Sequence, residues 1–280
     1  NMNSGQIVFR MSEAIPPSSI NTTSLTLVRF DAQVWYSLGS SIVTRVSADH
    51  TEFEVTMSAD DLNAWKLLAQ DQNGTRLSVS STLLHDYFRN SVVSISVASA
   101  LRRTVFVPDT TPPTVIGFEL DMTSETLTLS FSEVVAYSSV DVNAITVIGG
   151  SGSMHLRQLT TGTTPELAQC VVVENGVVVM RNTGCGLSAH SGSSRVTSAN
   201  GLVMVVSLGF ADLNALKLND MVAVSAQTTF LSVTSSLVND MVGNAVVSIA
   251  RSSALGVSSG KFRADSTRVV MEAFALDMDA

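Results

Sequence analysis

The chain has 280 residues, of which 45% are hydrophobic and 14% charged, and its formal net charge is −8. This length accommodates two domains with separate cores, and the composition excludes an intrinsically disordered chain. The negative charge argues against nucleic acid and anionic membrane surfaces as partners, because both bind basic patches. The sequence has no apolar run of about 18 residues, so we expect no membrane span.

The first predicted element is a half-buried strand in which Ile7, Phe9 and Met11 recur at every second position. Apolar residues with a period of two share one face of a strand. The chain starts with Asn1 and has no signal-peptide pattern, so we expect a processed product or a fragment.

Residues 58–67 predict a short helix. Ser58 can cap its first turn, acidic residues follow where the helix dipole favours them, and Leu62 and Trp65 lie three positions apart. We expect this helix to cross one end of a β-sandwich, and its copy at 210–218 to do the same.

A domain boundary is predicted at Pro112 and Pro113, because paired prolines impose an extended connection. We therefore divide the chain into a first domain, 1–108, a second domain, 109–264, and a C-terminal strand, 265–280.

The two domains are copies of one another. Adding 120 to the residue numbers aligns Ile7, Phe9 and Met11 with Leu127, Leu129 and Phe131, without a gap. The register is lost at an insertion predicted around 149–200 and resumes at the two helices. Such self-similarity indicates a duplication, in which both copies share one fold.

Within the insertion, Asn175 and Gly176 separate two runs of valine, which predicts a β-hairpin. Cys170 and Cys185 flank this hairpin. They are either bridged or two buried thiols, and an extracellular location favours the bridge.

One motif is split between the ends of the chain. The stretch 109–133 occurs once whole; its second half reappears at 1–13 and its first half at 265–278. The first domain thus lacks the strand equivalent to 114–120, and the end of the chain carries a spare one. This arrangement predicts insertion of a donor strand into the first domain of the next copy. The predicted donor residues are Val270, Phe274, Leu276 and Met278, and the predicted acceptor residues are Ile7, Phe9 and Met11.

Two alternatives remain open for this motif. The chain is an excerpt of a longer continuous repeat, or the spare strand folds back onto the first domain of its own chain. The Asp/Asn-Met step at both 277–278 and 1–2 argues against the excerpt, because a direct splice would duplicate it.

The opening Asp-Thr-Thr-Pro-Pro-Thr-Val, the following Leu-Thr-Leu-Ser-Phe-Ser-Glu and the closing residues 239–246 resemble bacterial-type immunoglobulin-like repeats. The Leu-Asn-Ala-x-Lys-Leu helix is similar to repeats of algal and protist surface filament proteins. The resemblance implies an all-β fold of two tandem immunoglobulin-like sandwiches, each with a short helix. It also implies an extracellular or cell-surface scaffold or adhesive role.

We therefore expect a structural subunit of an extracellular filament, whose partners are copies of itself. The alternative is a monomeric adhesin or glycan-binding module with its ligand contacts in 149–200. No cofactor and no enzyme activity are expected: the four histidines lack metal-ligand spacing, and residues 186–190 lack the Gly-x-Ser-x-Gly pattern.

Several residues are candidates for modification or ion binding. Asn21 and Asn73 lie in N-glycosylation sequons, and Thr110 and Thr111 are candidate O-glycan sites. Three further residues offer oxygen ligands for calcium, although a turn with Gly243 at positive φ is the favoured reading of their pattern. These residues are Asn239, Asp240 and Asn244.

The disulfide is directly testable. Closing a loop of about 15 residues between Cys170 and Cys185 is expected to stabilise the domain by about 3 kcal/mol on the chain-entropy estimate. Mass spectrometry of an unreduced digest should find the linked peptides. Recovery of both cysteines as alkylated thiols would contradict the bridge.

Overall fold

A computed structural model describes residues 1–31, 33–69, 74–161, 170–174, 177–181 and 194–271, with the backbone alone for 170–181. The chain is mainly β, as predicted, with several antiparallel sheets. It divides into two compact units. Unit 1 contains Asn1–Pro112 and Asp240–Asn244, and unit 2 contains Pro113–Asn239 and Ala245–Ala280. Over the described ranges, no helix has the length and apolarity needed to cross a bilayer.

Unit 1 is built from two sheets and one helix. One sheet has the strand order β1-β5-β4 and the other the order β3-β2-β6-β7. The elements are β1 (Gln6–Arg10), β2 (Leu25–Val28), β3 (Trp35–Ser37), β4 (Ile42–Val46), β5 (Glu52–Thr56), α1 (Ala59–Leu68), β6 (Arg76–Val79) and β7 (Leu101–Arg102).

Unit 2 has two larger sheets, ordered β14-β15-β9-β8-β18 and β11-β10-β16-β17, and the separate hairpin β12-β13. Its elements are β8 (Val115–Asp121), β9 (Thr126–Val135), β10 (Ile145–Ile148), β11 (Leu156–Gln158), β12 (Cys170–Glu174), β13 (Val177–Arg181), β14 (Arg195–Val196), β15 (Gly201–Ser207), α2 (Phe210–Leu218), β16 (Phe230–Val233), β17 (Leu255–Gly256) and β18 (Phe262–Arg263).

The two units share one strand order. The order β3-β2-β6-β7 corresponds to β11-β10-β16-β17, and β4-β5-β1 corresponds to β14-β15-β9. Four strands of unit 2 have no counterpart in the described part of unit 1: β8, β18, β12 and β13. The last two form the predicted hairpin, whose pairing is confirmed. β11 and β14 correspond to β3 and β4, although both lie within the predicted insertion 149–200. The segment of unit 2 without a counterpart in unit 1 is therefore shorter than the prediction.

Each unit has its own hydrophobic core, to which both of its larger sheets contribute. Phe53 of β5 and Leu25 of β2 are buried together in unit 1. The helices close the cores at equivalent places, since Trp65 of α1 and Leu216 of α2 are both buried. Two sheets enclosing one core form a sandwich-like architecture, and all strand pairs in these sheets are antiparallel except the parallel pair of β18 with β8.

The first turn of α1 is anchored by a buried carboxylate. Ser58 caps the helix by accepting from the Asp61 backbone N–H, as predicted. The Asp61 carboxylate accepts hydrogen bonds from the Tyr36 hydroxyl at 2.9 Å, the Gly39 and Ser40 N–H groups at 2.9 and 3.0 Å, and the Ser41 hydroxyl at 2.7 Å. These donors lie in β3 and in the segment that leads from β3 to β4, so Asp61 fixes both to the helix.

Asp212 performs the same role in α2. Its carboxylate accepts two bonds from the Arg157 guanidinium, at 2.6 and 2.9 Å, and one each from the Thr160 N–H and the Ser194 hydroxyl. The aspartate is therefore common to both copies, and its donors stand at matching positions. Arg157 takes the place of Tyr36, because the two pair with the equivalent residues Val147 and Leu27. Ser41 and Ser194 are the serines directly before β4 and β14.

The opening strand of unit 2 has a bulge between Val115 and Gly117, where its register with β9 shifts. A Cβ atom at Gly117 would lie 2.8 Å from the Ser258 Oγ. Glycine therefore permits a close approach of this strand to the segment before β18.

Replacement of Asp61 by alanine is expected to destabilise unit 1 by about 2–4 kcal/mol, because one buried and three partly buried donors lose a charged acceptor. Urea unfolding followed by tryptophan fluorescence measures this change, since Trp35 and Trp65 are the two tryptophans of the chain. Asp60→Ala, at an exposed position of the same turn, is the control and should cost less than about 1 kcal/mol.

The same carboxylate makes stability depend on pH. Burial opposes ionisation of Asp61, but hydrogen bonds from Gly39, Ser41 and Ser40 outweigh it, and the pKa lies below its usual 3.8. A depressed pKa contributes stability that is present above the unfolded-state value and lost as pH falls through the folded-state value. Asp61→Asn should therefore show a weaker loss of stability below about pH 4 than the unmodified chain. Equal slopes would contradict this assignment.

Candidate assembly surfaces

The strand β1 has a free edge in unit 1. In the described ranges it pairs only with β5, whereas its counterpart β9 pairs with both β15 and β8. The predicted acceptor residues Ile7, Phe9 and Met11 are only partly buried against the unit 1 core. Their counterparts are nearly inaccessible, with exposed fractions of 0% for Leu127, 0% for Leu129 and 2% for Phe131. The apolar face of β1 thus lacks the cover that β8 gives to β9.

The position of the uncovered groove follows from unit 2, where β8 lies between β9 and β18. There the Met122 N–H donates to the Arg263 carbonyl at 2.9 Å, and in unit 1 the Met2 N–H donates to the Val107 carbonyl at the same distance. Met2 and Met122 are both buried, with 4% and 3% exposed. Met2 therefore already fills the place of Met122, and the groove begins beyond it.

Residues 269–271 of the predicted donor segment are largely exposed. Val270 is 74% exposed, and the neighbouring Met271 is 81% exposed. Phe274, Leu276 and Met278 lie outside the described residues.

Each unit carries an equivalent exit turn, defined as residues 109–111 and 265–267. The Thr111 N–H donates to Asp109 Oδ1 at 3.1 Å, and the Thr267 N–H donates to Asp265 Oδ1 at 2.9 Å. Each aspartate also pairs with the lysine of its own helix. Lys66 lies 2.6 Å from Asp109.

The second ion pair is more accessible than the first. Lys217 lies 2.9 Å from Asp265, and both side chains are 29% exposed, against 5% for Lys66 and 1% for Asp109. The hydrogen bond from Lys217, together with that from the Thr267 N–H, holds the pKa of Asp265 below its usual 3.8. Sequence reasoning missed both pairs, although Lys and Asp recur at matching positions in the two copies.

Unit 1 contains two closing turns of the same geometry, 86–90 and 240–244. Asp86 Oδ1 accepts from the Asn90 N–H at 2.7 Å, and Asp240 Oδ1 accepts from the Asn244 N–H at 2.8 Å. In both turns the asparagine side-chain amide donates to the second carboxylate oxygen at 2.7 Å.

The residue before each asparagine is left-handed, with φ of +69° at Arg89 and +100° at Gly243. The turn predicted at 239–244, with Gly243 at positive φ, is thus present, and its carboxylate oxygens bind groups of the turn itself. Asn239, the other residue considered for calcium, donates its N–H to the Ser139 hydroxyl at 2.9 Å.

The candidate glycosylation sites occupy different settings. Asn21 is exposed and accepts from the Thr23 hydroxyl at 2.7 Å, while Asn73 lies outside the described residues. Thr110 and Thr111 are exposed, and the Thr111 hydroxyl donates to Asn3 Oδ1 at 2.8 Å. An O-glycan at Thr111 would replace that bond.

Most of the remaining predicted sites lie outside the described residues. Cys170 is the first residue of β12, and Cys185 lies outside the described residues. The same holds for much of 149–200, where the adhesin alternative places its ligand contacts. Comparison with known proteins adds no assignment, because no family model, curated protein or solved structure matches the chain.

The two lysines provide a matched pair for measurement. Lys66→Met is expected to destabilise unit 1 by about 3–5 kcal/mol, because it leaves a buried carboxylate without its cation. Lys217→Met removes a partly exposed pair and should cost less than about 1 kcal/mol. Urea denaturation of both variants tests this, and equal costs would contradict the difference in burial.

Proposed function

We propose that the chain is a structural subunit of an extracellular filament, built from two immunoglobulin-like sandwiches and joined head to tail by a donor strand. Residues 265–280 of one copy lie along β1 of the next copy. The observation that carries this proposal is the free edge of β1 with its half-buried apolar face. An unpaired edge of this kind is a template for addition of a strand from another chain.

The repeat specifies the register of the added strand. Adding 156 to the residue number takes Asp109 to Asp265, Phe118 to Phe274 and Leu120 to Leu276 without a gap. In unit 2, Phe118 pairs with Leu129 and Leu120 with Leu127. Subtracting 120 from the β9 partners aligns Phe274 with Phe9 and Leu276 with Ile7.

Phe274 and Leu276 contribute most to this joint. Their counterparts Phe118 and Leu120 are both 0% exposed, so the same places in unit 1 offer complete burial. Each such side chain contributes about 1.5–3 kcal/mol when it leaves water, before the cost of ordering the segment. Met278 has no vacant place, because Met2 occupies it.

Donor and acceptor are different surfaces, so the contact is heterologous and need not close on itself. A succession of such contacts gives an open filament. The extracellular location rests on the resemblance to surface repeats.

Engineered cysteines test the register of the joint. In the proposed pairing Ala275 lies opposite Val8, so mixing the single variants Ala275→Cys and Val8→Cys should give a disulfide between copies on oxidation. Non-reducing electrophoresis and mass spectrometry of the linked peptides detect it. Ala273→Cys mixed with Val8→Cys is the control, because it is displaced by two residues and should link much more slowly.

The outcomes separate the alternatives. A 275–8 link between copies, with filaments in electron micrographs that are lost in Phe274→Asp/Leu276→Asp, supports the proposal. A link that forms only when both cysteines are in one chain shows the fold-back arrangement and rejects the filament. Arg268→Ala should leave assembly unchanged, because the repeat aligns Arg268 with Pro112, which is exposed.

A further inference from the structure

The closing turn 240–244 and the exit turn 109–111 are in contact in unit 1. The Asn244 side-chain amide donates to the Asp109 carbonyl at 3.3 Å. Asp109 and Asp240 belong to a group of buried carboxylates whose oxygens all lie within 4.8 Å of one another. Carboxylates this close repel one another unless a cation is adjacent, and Lys66 supplies a positive charge at Asp109.

The chain contains a second exit turn and a second closing turn. The exit turn 265–267 has the same aspartate turn and the same helix lysine as 109–111, with the Asp265 side chain still 29% exposed. The closing turn 86–90 has the same internal bonds as 240–244, and at its tip Tyr87 is 56% and Phe88 88% exposed.

We propose that the closing turn 86–90 of one copy docks on the exit turn 265–267 of a second copy, with the Asn90 amide donating to the Asp265 carbonyl. Lys217 then neutralises Asp265 together with the partner's Asp86, as Lys66 serves Asp109 and Asp240. This docking rests on the proposed head-to-tail assembly and adds a second contact to its joint.

The two contacts are compatible along the sequence. Asp109 lies six positions before β8, and Asp265 lies six positions before 271–277, the residues that the repeat aligns with β8. The closing turn 240–244 lies in the same repeat as β8, and the closing turn 86–90 lies in the same repeat as β1. A donor strand lying along β1 of the next copy therefore brings its exit turn to that copy's closing turn. The strand supplies apolar burial, and the turn supplies a charge-dependent contact.

Charge substitutions in the full-length chain test the docking. At neutral pH, Lys217→Met should raise the dissociation constant of assembly about tenfold, because two carboxylates then face each other without a cation. Lys217→Met combined with Asp265→Asn removes one of those carboxylates and should restore the constant to within about threefold of the unmodified chain. Sedimentation velocity over a range of concentrations measures both.

Lys261→Met is the matched control, because Lys261 pairs with Glu119 at an exposed site and should not affect assembly. If Lys217→Met assembles with the unmodified constant while the 275–8 disulfide between copies still forms, the turn docking is wrong and strand insertion stands. If that disulfide does not form between copies, the filament proposal itself fails. A weakened Lys217→Met that the second substitution does not restore also rejects the charge arrangement.

Discussion

An edge strand with an apolar face is stabilised when a further strand covers its open side. In the described ranges β1 has a neighbouring strand, β5, on one side only. Its backbone groups on the other side have no strand partner in the described ranges, and Ile7, Phe9 and Met11 are only partly covered. Water can satisfy the N–H and C=O groups of an open edge, but it cannot replace apolar packing. Covering the apolar face of β1 therefore requires apolar side chains at a specific spacing, which the sequence of the added strand determines.

Because the chain is duplicated, unit 2 shows how the edge equivalent to that of β1 is covered. In unit 2 the strand β8 occupies the equivalent edge, and Phe118 and Leu120 are wholly buried there. Comparison of two copies within one chain removes most differences of context, so the change in burial from Leu129 to Phe9 is attributable to the missing neighbour. The same comparison identifies the exit and closing turns, because their hydrogen bonds recur.

Elements with a strong local pattern were predictable from the sequence. The alternation around Phe9, the Ser58 cap and the valine hairpin all depend on residues that are neighbours in the chain. The extent of the insertion was not predictable, because β11 and β14 have three and two residues and carry too little periodicity to be recognised.

The polar anchors were beyond sequence reasoning for a different reason. Asp61 binds donors about twenty residues earlier, and Lys66 pairs with an aspartate that follows the last strand of its unit. Such bonds are set by the packing of the sheets and have no fixed spacing. Only the recurrence of the aspartate and lysine in both helices marks them, and recurrence alone does not reveal the partner.

Gly117 affects whether the C-terminal segment can take the place of β8 in unit 2. The equivalent residue in the C-terminal segment is Ala273, whose Cβ in the place of Gly117 would lie 2.8 Å from the Ser258 Oγ. Ser258 would have to turn aside to admit it. A C-terminal segment in the place of β8 would therefore require this rotation of the Ser258 side chain, which β8 does not require.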